Sequence, residues 1–447
     1  MTLDAGMPAR VRQVVVVATP VPAELKWYLL DEEPLSLGRS PEGRRPVALP
    51  DDKASRSHAV IERDASSDGY VLVDRGSHNG TFLNGVRIDR APLSGGSVVR
   101  IGQTLLVFVE EKLGAGEPLV PESPYLLGHS LRMQRLRGEI AQLAPSPIPV
   151  LVLGESGAGK ERVAQAIHAA SGRPGPLVAI NCATIPEPLA DAEMFGHAKG
   201  AFTGATAESS GLFVAADGGT LFLDEVAELP AAVQAKLLRA IATGEARPLG
   251  RSEPRRFDVR LVAATNKDVA RAVEEEAFRG DLFARLSGWT LQVPPLRARR
   301  EDVLRLAEAI LARDSGGLPL TTTAAEALLL YDWPYNVREL EQVLAASALR
   351  ARSEGRLLLS HLPPHLGERV AARAAGAAPM KPPLEVIVPP HAVPDAAGLR
   401  AAFGHFEGNL QRVAEYFGRD RKQIYRWAEQ QGLDLAALRA PKSPGEE

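Results

Sequence analysis

The chain has 447 residues and a formal net charge of −3, too long for one ordinary domain and without the global basic field that would advertise nucleic acid. Its one cysteine, Cys182, excludes a disulfide framework and fits a reducing cytoplasm, and a hydrophobic fraction of 45% is ample for several cores. No apolar run approaches the ~20 residues that cross a bilayer, and the run at 14–17 is too short for a signal peptide. The expectation is a cytoplasmic protein of about three domains with no membrane partner.

Residues 10–112 read as all-β. Short apolar segments at 14–17, 27–30, 59–61, 70–73, 98–101 and 105–109 alternate with turn clusters such as SSDG and LSGG, the spacing of a sandwich. Polar residues gather in the loops: Arg39 in LGRS, Ser55, Arg56 and His58 in ASRSHA, Asn79 and Asn84 in GSHNGTFLNG. Two arginines and a serine on neighbouring loops make a phosphate clamp. Residues 113–123 are a Pro/Gly-rich linker. Ser130 then opens an amphipathic helix with Leu131, Leu136, Ile140 and Leu143 inward.

Residues 150–161, VLVLGESGAGKE, read as strand, phosphate loop, helix. The Walker A form is carried by Gly154, Gly159 and Lys160, with Glu155, Ser156, Gly157 and Ala158 lining the loop. Glycines let backbone N–H groups turn toward a triphosphate, the helix N-terminus adds positive charge, and Lys160 reaches the outer phosphates. Glu161 stands where a hydroxyl usually ligands magnesium, so a metal must lean on other groups. A helix at 162–170 and a strand at 177–180 follow, ending at Asn181 and Cys182, the cysteine read as a small buried hydrophobe.

The run GGTLFLDE ends an apolar strand in Asp224 and Glu225, the Walker B form. Asp224 is placed to hold Mg²⁺ through water and Glu225 to polarise the attacking water. A strand at 259–264 ends at Thr265 and Asn266, placed to sense the terminal phosphate. Three strand ends bearing polar groups fit the rule that ligands lie at the carboxyl ends of parallel strands. Between the two Walker elements lies FGHAKGAFTGA, whose Phe202 and Thr203 have no evident core role and suit an exposed loop tip that grips another protein.

Residues 366–394 are an Ala/Pro-rich tether with no fold of their own expected. Periodicity then resumes. Asp395 caps a helix with Leu399, Ala402, Phe403 and Phe406 on one face. A second helix starts at Asn409 with Leu410, Val413, Ala414 and Phe417 inward, and Gly418 makes the turn. A third puts Ile424, Trp427 and Ala428 inward and shows Arg421, Lys422, Gln423, Tyr425 and Arg426 outward, a helix-turn-helix. Arg419, Arg421, Lys422 and Arg426 against the single acid Asp420 favour DNA over a merely packing bundle.

Three resemblances cover most of the chain. GR, SRxH, SxNGT and the following NG resemble a forkhead-associated (FHA) domain. That likeness implies phosphothreonine recognition, with Arg39, Ser55 and Arg56 on the phosphate, Asn79 on the peptide backbone, and Gly38 and His58 structural. Residues 124–365 are similar to the AAA+ module of the sigma-54-dependent transcription activators, with the GAFTGA signature intact at Gly200, Ala201, Phe202, Thr203, Gly204 and Ala205. In that family the signature contacts sigma-54 and an acid after the Walker A lysine is common, which accommodates Glu161. The same likeness implies that Asn181 swings with Glu225, that Asn266 is sensor I and Arg338 sensor II, and that Arg279 and Arg285 reach a neighbouring subunit's nucleotide. The sequence does not say which arginine is the finger. Tyr335 replaces a glycine usual before Asn-Val-Arg-Glu-Leu, which puts the local turn in question. Residues 301–352 would form the lid. The C-terminal segment resembles a Fis-type domain through GN-x-x-x-x-A, FGRDR and IYRW.

The expected fold is thus multidomain: an all-β FHA sandwich (10–112), a linker (113–123), an α/β AAA+ P-loop NTPase with an α-helical lid (124–365), a second linker (366–394) and a small all-α helix-turn-helix (395–435). The resemblance implies an ATP- and Mg²⁺-dependent ATPase, a homo-oligomer of hexamer type, that binds enhancer-like DNA and remodels the sigma-54 RNA polymerase promoter complex. Its input would be a phosphothreonine protein or its own phosphorylated segment. An AAA+ remodeller of some other target and a non-enzymatic phosphoprotein-binding repressor are the alternatives; the intact GAFTGA stretch speaks against the first, and Lys160, Asp224, Glu225 and Asn266 against the second.

Overall fold

The computed structural model describes residues 9–20, 26–65, 67–113, 119–202, 205–367, 394–406, 410–431 and 433. The chain falls into two compact units, Met1–Val370 and Ala371–Glu447. Residues 368–393 of the expected tether, Asn409, Thr203 and Gly204 lie outside the described residues, whereas Leu366, expected as tether, is buried in the lid's core.

The first unit opens with β1 (Ala9–Ala18), β2 (Lys26–Leu29), β3 (Leu35–Gly38), β4 (Arg45–Ala48), β5 (Ala59–Arg63), β6 (Tyr70–Asp74), β7 (Thr81–Leu83), β8 (Val86–Ile88), β9 (Arg90–Leu93), β10 (Val98–Ile101) and β11 (Thr104–Leu113). They form two stacked sheets, β2-β1-β11-β10-β7-β8 and β4-β3-β5-β6-β9. In β1 the side chains alternate between faces. Val14 and Val16 join Leu37, Leu106 and Phe108 inside the sandwich. Val15 and Val17 join Val107 and Val109 in a second cluster with residues of the lid. The unbroken valine run therefore has a physical cause, because a strand buried on both faces needs apolar residues at every position.

The ATPase part follows: α1 (Leu131–Leu143), β12 (Val150–Leu153), α2 (Lys160–Ser171), β13 (Leu177–Asn181), α3 (Glu187–Phe195), α4 (Leu212–Ala215), β14 (Thr220–Asp224), α5 (Ala231–Thr243), the short pair β15 (Glu245–Ala246) and β16 (Arg255–Arg256), β17 (Arg260–Thr265), α6 (Val269–Glu274), α7 (Gly280–Leu286) and β18 (Trp289–Gln292). Its sheet is parallel in the order β13-β14-β17-β12-β18, with helices packed against it. Ser130 caps α1 by accepting from the Met133 N–H, and Met133 takes the inward place expected of Leu131, which is half-buried. Both ends of the expected linker are bonded to the fold: β11 runs to Leu113, Arg137 donates to the Val120 carbonyl, and Glu122 accepts from the Gly128 N–H and from Arg305.

The lid is α8 (Val303–Ser315), α9 (Thr322–Leu330) and α10 (Asn336–Ala351). The second unit contains α11 (Ala396–His405), α12 (Leu410–Tyr416) and α13 (Arg421–Gln430). Asp395 caps α11 and Asp420 caps α13, while Phe403, Phe417, Ile424 and Trp427 form its core.

Candidate functional site

Three parallel strands, β12, β14 and β17, end side by side, and their carboxyl ends carry the expected polar groups. The phosphate loop leaves β12 at Gly154 and enters α2 through Gly159, whose φ of 107° only glycine adopts readily. At Gly157, φ is 72° and an added Cβ would lie 2.2 Å from the Tyr335 carbonyl oxygen, so the lid's close approach also requires glycine there.

Lys160 is buried, and its Nζ donates to the Gly154 carbonyl and to Glu225 Oε1, both at 3.1 Å. Glu225 Oε2 accepts the Asn266 N–H at 3.0 Å. Asp224 accepts from the Glu225 N–H at 3.1 Å. Burial, and then the charge of Glu225, hold its carboxyl above the usual range. Glu225 has φ 50°, a left-handed conformation that costs a β-carbon residue energy and re-aims its side chain away from the strand direction. Asn181 does not meet Glu225: its Oδ1 accepts the Ala183 N–H at 2.9 Å. Glu161 points along its own helix to Gln165. Cys182 is buried, and burial pushes its thiol up to about 12, which makes it the inert hydrophobe expected.

The lid side closes on this loop through Arg338, expected there, and through Arg297 and Asn336, which motif reading passed over. Arg297 donates to both carboxylate oxygens of Glu155, the NH1 bond at 2.6 Å, and holds that carboxyl below its ordinary range. Asn336 is fully buried. Its Nδ2 donates to Glu155 at 3.2 Å and to the Ser156 carbonyl at 3.0 Å, while its Oδ1 accepts the Leu296 N–H. Arg338 NH1 donates to Ser156 Oγ at 3.3 Å. Tyr335 resolves the doubt about its turn. It has φ −106°, which any residue adopts, and the positive φ of 55° falls on Asn336, a residue that tolerates it. A cavity of about 300 Å³ opens beside the loop between Leu126, Ala158, Gly159, Ile310 and Val337.

At the sandwich's loop end, Arg39 and Arg56 are exposed and Ser55 is half-buried. The Arg39 N–H donates to the Ser55 carbonyl and Ser40 N–H to that of Arg56, which lays the two loops together. Gly38 lets them meet, since a Cβ there would lie 2.2 Å from the Arg56 carbonyl oxygen. His58 is buried; Nδ1 accepts the Ser55 N–H, which leaves Nε2 to donate to the Gly80 carbonyl at 3.3 Å. Burial lowers its pKa, in keeping with a neutral ring serving as a brace. Ser55 Oγ accepts the His78 N–H, and Asn79 Nδ2 donates to the Lys53 carbonyl at 2.7 Å.

Comparison with known proteins follows this geometry. The Sigma-54 interaction domain family matches residues 126–292, the AAA+ ATPase lid domain 297–379 and the FHA domain 35–102. The chain is 37% identical over 414 residues to the anaerobic nitric oxide reductase transcription regulator NorR of Aeromonas hydrophila, covering 86% of this chain and 80% of that one. It belongs to the sigma-54-dependent transcription regulators. Another member, the nitric oxide reductase transcription regulator NorR2 of Cupriavidus necator, is 50% identical over 236 residues, 52% of this chain but only 45% of that protein. The chain thus spans about half the length of some of the regulators it matches. Among solved structures, NtrX from Brucella abortus in complex with ADP aligns with a TM-score of 0.51 and 31% identity, over 69% of this chain and 70% of that one.

The remaining residues of this sigma-54 regulator fall as follows. Phe202 is not the free tip expected. It is half-buried, with its ring centroid 5.0 Å from that of His197, and Ala205 is buried. The Gly200 N–H donates to the Ala205 carbonyl, so the base of the signature loop is closed by its own backbone. Arg279 and Arg285 lie on or beside α7, and neither bonds the phosphate loop of its own chain. Arg279 is paired with Asp281 at 2.7 Å, whereas Arg285 is exposed with no hydrogen-bond or ion-pair partner among the described residues. On α13, Arg421, Lys422, Tyr425 and Arg426 are exposed and Gln423 is half-buried. Trp427 packs edge-on to Phe417 as core. Among the described residues, no helix is long and apolar enough to cross a membrane.

Proposed function

We propose that this sigma-54 regulator hydrolyses ATP and uses the cycle to remodel sigma-54 RNA polymerase at promoters, from a ring of copies held on enhancer-like DNA by α13. The observation that carries this reading is the convergence of Lys160, Asp224, Glu225 and Asn266 on one phosphate loop, clasped by a lid whose Arg338 reaches the same loop. Phosphate oxygens inserted there would take Lys160 from Glu225 and free that carboxylate to orient a water toward the γ-phosphate. NtrX, the solved relative, was crystallised with ATP as well as ADP.

The residues fit Mg²⁺. Asp224 is a half-buried carboxylate without a cation beside it other than Lys160 among the described residues, and a divalent ion would relieve its desolvation. No cluster of three His, Cys, Asp or Glu among the described residues would hold a metal alone, so nucleotide oxygens must complete the shell. When bound, the ion would neutralise charge on the phosphates. Asn181 takes Glu225 in one nucleotide state and releases it in another. A guanidinium from α7 of a neighbouring copy supplies the transition-state charge; Arg285, unpaired here, is the better placed to be surrendered, while Arg279 must first leave Asp281.

The signature Gly200–Ala205 is the sigma-54 contact, and Arg39, Ser55, Arg56 and Asn79 receive a phosphothreonine protein or the chain's own phosphorylated segment. The test measures ATP hydrolysis across protein concentrations and open-complex formation by sigma-54 polymerase. Hydrolysis per chain should rise with concentration, and Thr203→Ala should keep hydrolysis while losing open complexes. Hydrolysis independent of concentration would remove the ring, and open complexes formed by Thr203→Ala would remove the loop's role.

A further inference from the structure

The sandwich is not tethered to the ATPase; it shares a core with the lid. Val15, Val17, Val98, Leu105, Val107 and Val109 of the outer sheet lie in one cluster with Leu304, Ala307, Leu311, Ala325 and Leu328 of α8 and α9. Two polar routes cross this seam, and both start at the loops that hold Asn79. In the first, Asn79 Nδ2 donates to the Lys53 carbonyl at 2.7 Å and the Lys53 N–H to Asp51 Oδ1 at 2.9 Å. Asp51 is buried, and its Oδ2 accepts from the Gln103 N–H at 2.6 Å and from Thr104 Oγ1 at 2.9 Å. The Gln103 carbonyl in turn accepts from Thr322 Oγ1, in the first turn of α9, at 3.3 Å.

In the second, Phe82 follows the Asn79–Gly80 turn on β7 and pairs across the sheet with Arg100 of β10. The Arg100 guanidinium lies 3.7 Å from the Phe82 ring centroid and donates to Glu326 Oε2 on α9 at 2.8 Å. Glu326 is buried, and its other oxygen has no partner. A buried charge held by one bond ties the two domains in one geometry, because its displacement leaves it unpaired.

The far end of α9 reaches the nucleotide site. Trp333 Nε1 donates to the Leu328 carbonyl, and Tyr331 OH donates to Glu339, which also accepts the Tyr335 N–H. This fixes the turn that delivers Asn336 and Arg338 to the phosphate loop. Helix α9, nine residues long, is thus bonded to Gln103 and Arg100, one step behind the Asn79 loops, and at its end through Trp333 to the turn that precedes Asn336.

We propose that α9 is a strut through which the FHA loops and the nucleotide site are coupled, so that a ligand at either end changes the order and affinity of the other. The identity of the FHA ligand rests on the reading above; the strut itself does not. Reciprocity follows from linkage, so the route is testable from the nucleotide end alone.

The experiment is hydrogen exchange on the full chain with and without saturating Mg-ADP. In the wild type, segments 49–57 and 98–105 change exchange rate by roughly threefold or more on ADP addition, alongside α9. In Thr322→Val combined with Glu326→Leu, the change in those segments falls below about 1.5-fold while ADP still protects the phosphate loop. Glu326→Leu removes a buried acid among apolar neighbours and leaves Arg100, 21% exposed, free to reach water, so the fold tolerates it. Unchanged FHA segments in the wild type, with a protected phosphate loop, overturn the proposal. So does a full response in the variant. A phosphothreonine peptide and its unphosphorylated twin form the second arm. If neither binds while ADP still alters the FHA segments, the ligand reading fails and the strut stands.

Discussion

The phosphate loop and the FHA rim, the two proposed phosphate-reading sites of this chain, are built oppositely. Around the phosphate loop the central charges are already paired within the chain: Lys160 with Glu225, and Glu155 with Arg297, Asn336 bonding the same carboxylate. At the FHA rim Arg39 meets, among the described residues, only the exposed Asp52 at 3.9 Å, and Arg56 is exposed. A site that must cycle benefits from internal partners that hold its geometry between ligands and can be exchanged. A site that only receives a phosphate needs solvated arginines on rigid loops, and here the rigidity comes from His58 and Asp51 beneath them.

Four substitutions break or sharpen this contrast. The largest effect is expected for Lys160→Ala, which removes the buried cation paired with Glu225; phosphate release should fall by ~10²–10³-fold. Next is Arg39→Ala, where no internal partner compensates; affinity for a phosphothreonine peptide, read by fluorescence anisotropy, should drop by about 10–100-fold. A drop below threefold would place the phosphate elsewhere on the rim.

Asn336→Ala leaves the Leu296 N–H and the Ser156 carbonyl without their buried partner, and should cost about 1–3 kcal/mol in thermal or denaturant unfolding. It should also raise KM for ATP more than it lowers kcat, since the clasp positions the loop. The smallest effect is a pH response. Arg297 depresses the Glu155 pKa below 4.5, so the pair contributes stability above that pH and loses it as pH falls through the folded value. The apparent unfolding midpoint of Glu155→Gln should therefore decline less between pH 5 and 3 than that of the wild type. An identical decline would mean that this pair adds nothing once solvent screening is counted.

Much of the site was legible along the chain. Motifs whose parts are adjacent in sequence, the glycine-rich loop, the DE at a strand end and the GAFTGA run, announce themselves because their chemistry is local. Arg297 and Asn336 gave no such signal, since each acts on Glu155 from more than a hundred positions away. Phe202 was misread because a glycine-flanked aromatic looks unpartnered until His197 is brought beside it. Asn181 ends one strand and Glu225 follows the end of its neighbour, but the left-handed φ at Glu225 and the turn at Ala183 keep them apart.

What the amino-acid order announced alone was an FHA sandwich ahead of an AAA+ module with its lid, and the polar groups gathered at the phosphate loop, because period, turn chemistry and contiguous motifs are properties of short stretches. It also held one unread clue, the four consecutive valines at 14–17. Only the tertiary structure decided that the outer face of that strand is covered by the lid, making one compact unit of what composition suggested were two. Burial of a second face depends on what the chain brings back some 300 residues later, and no local pattern encodes that return.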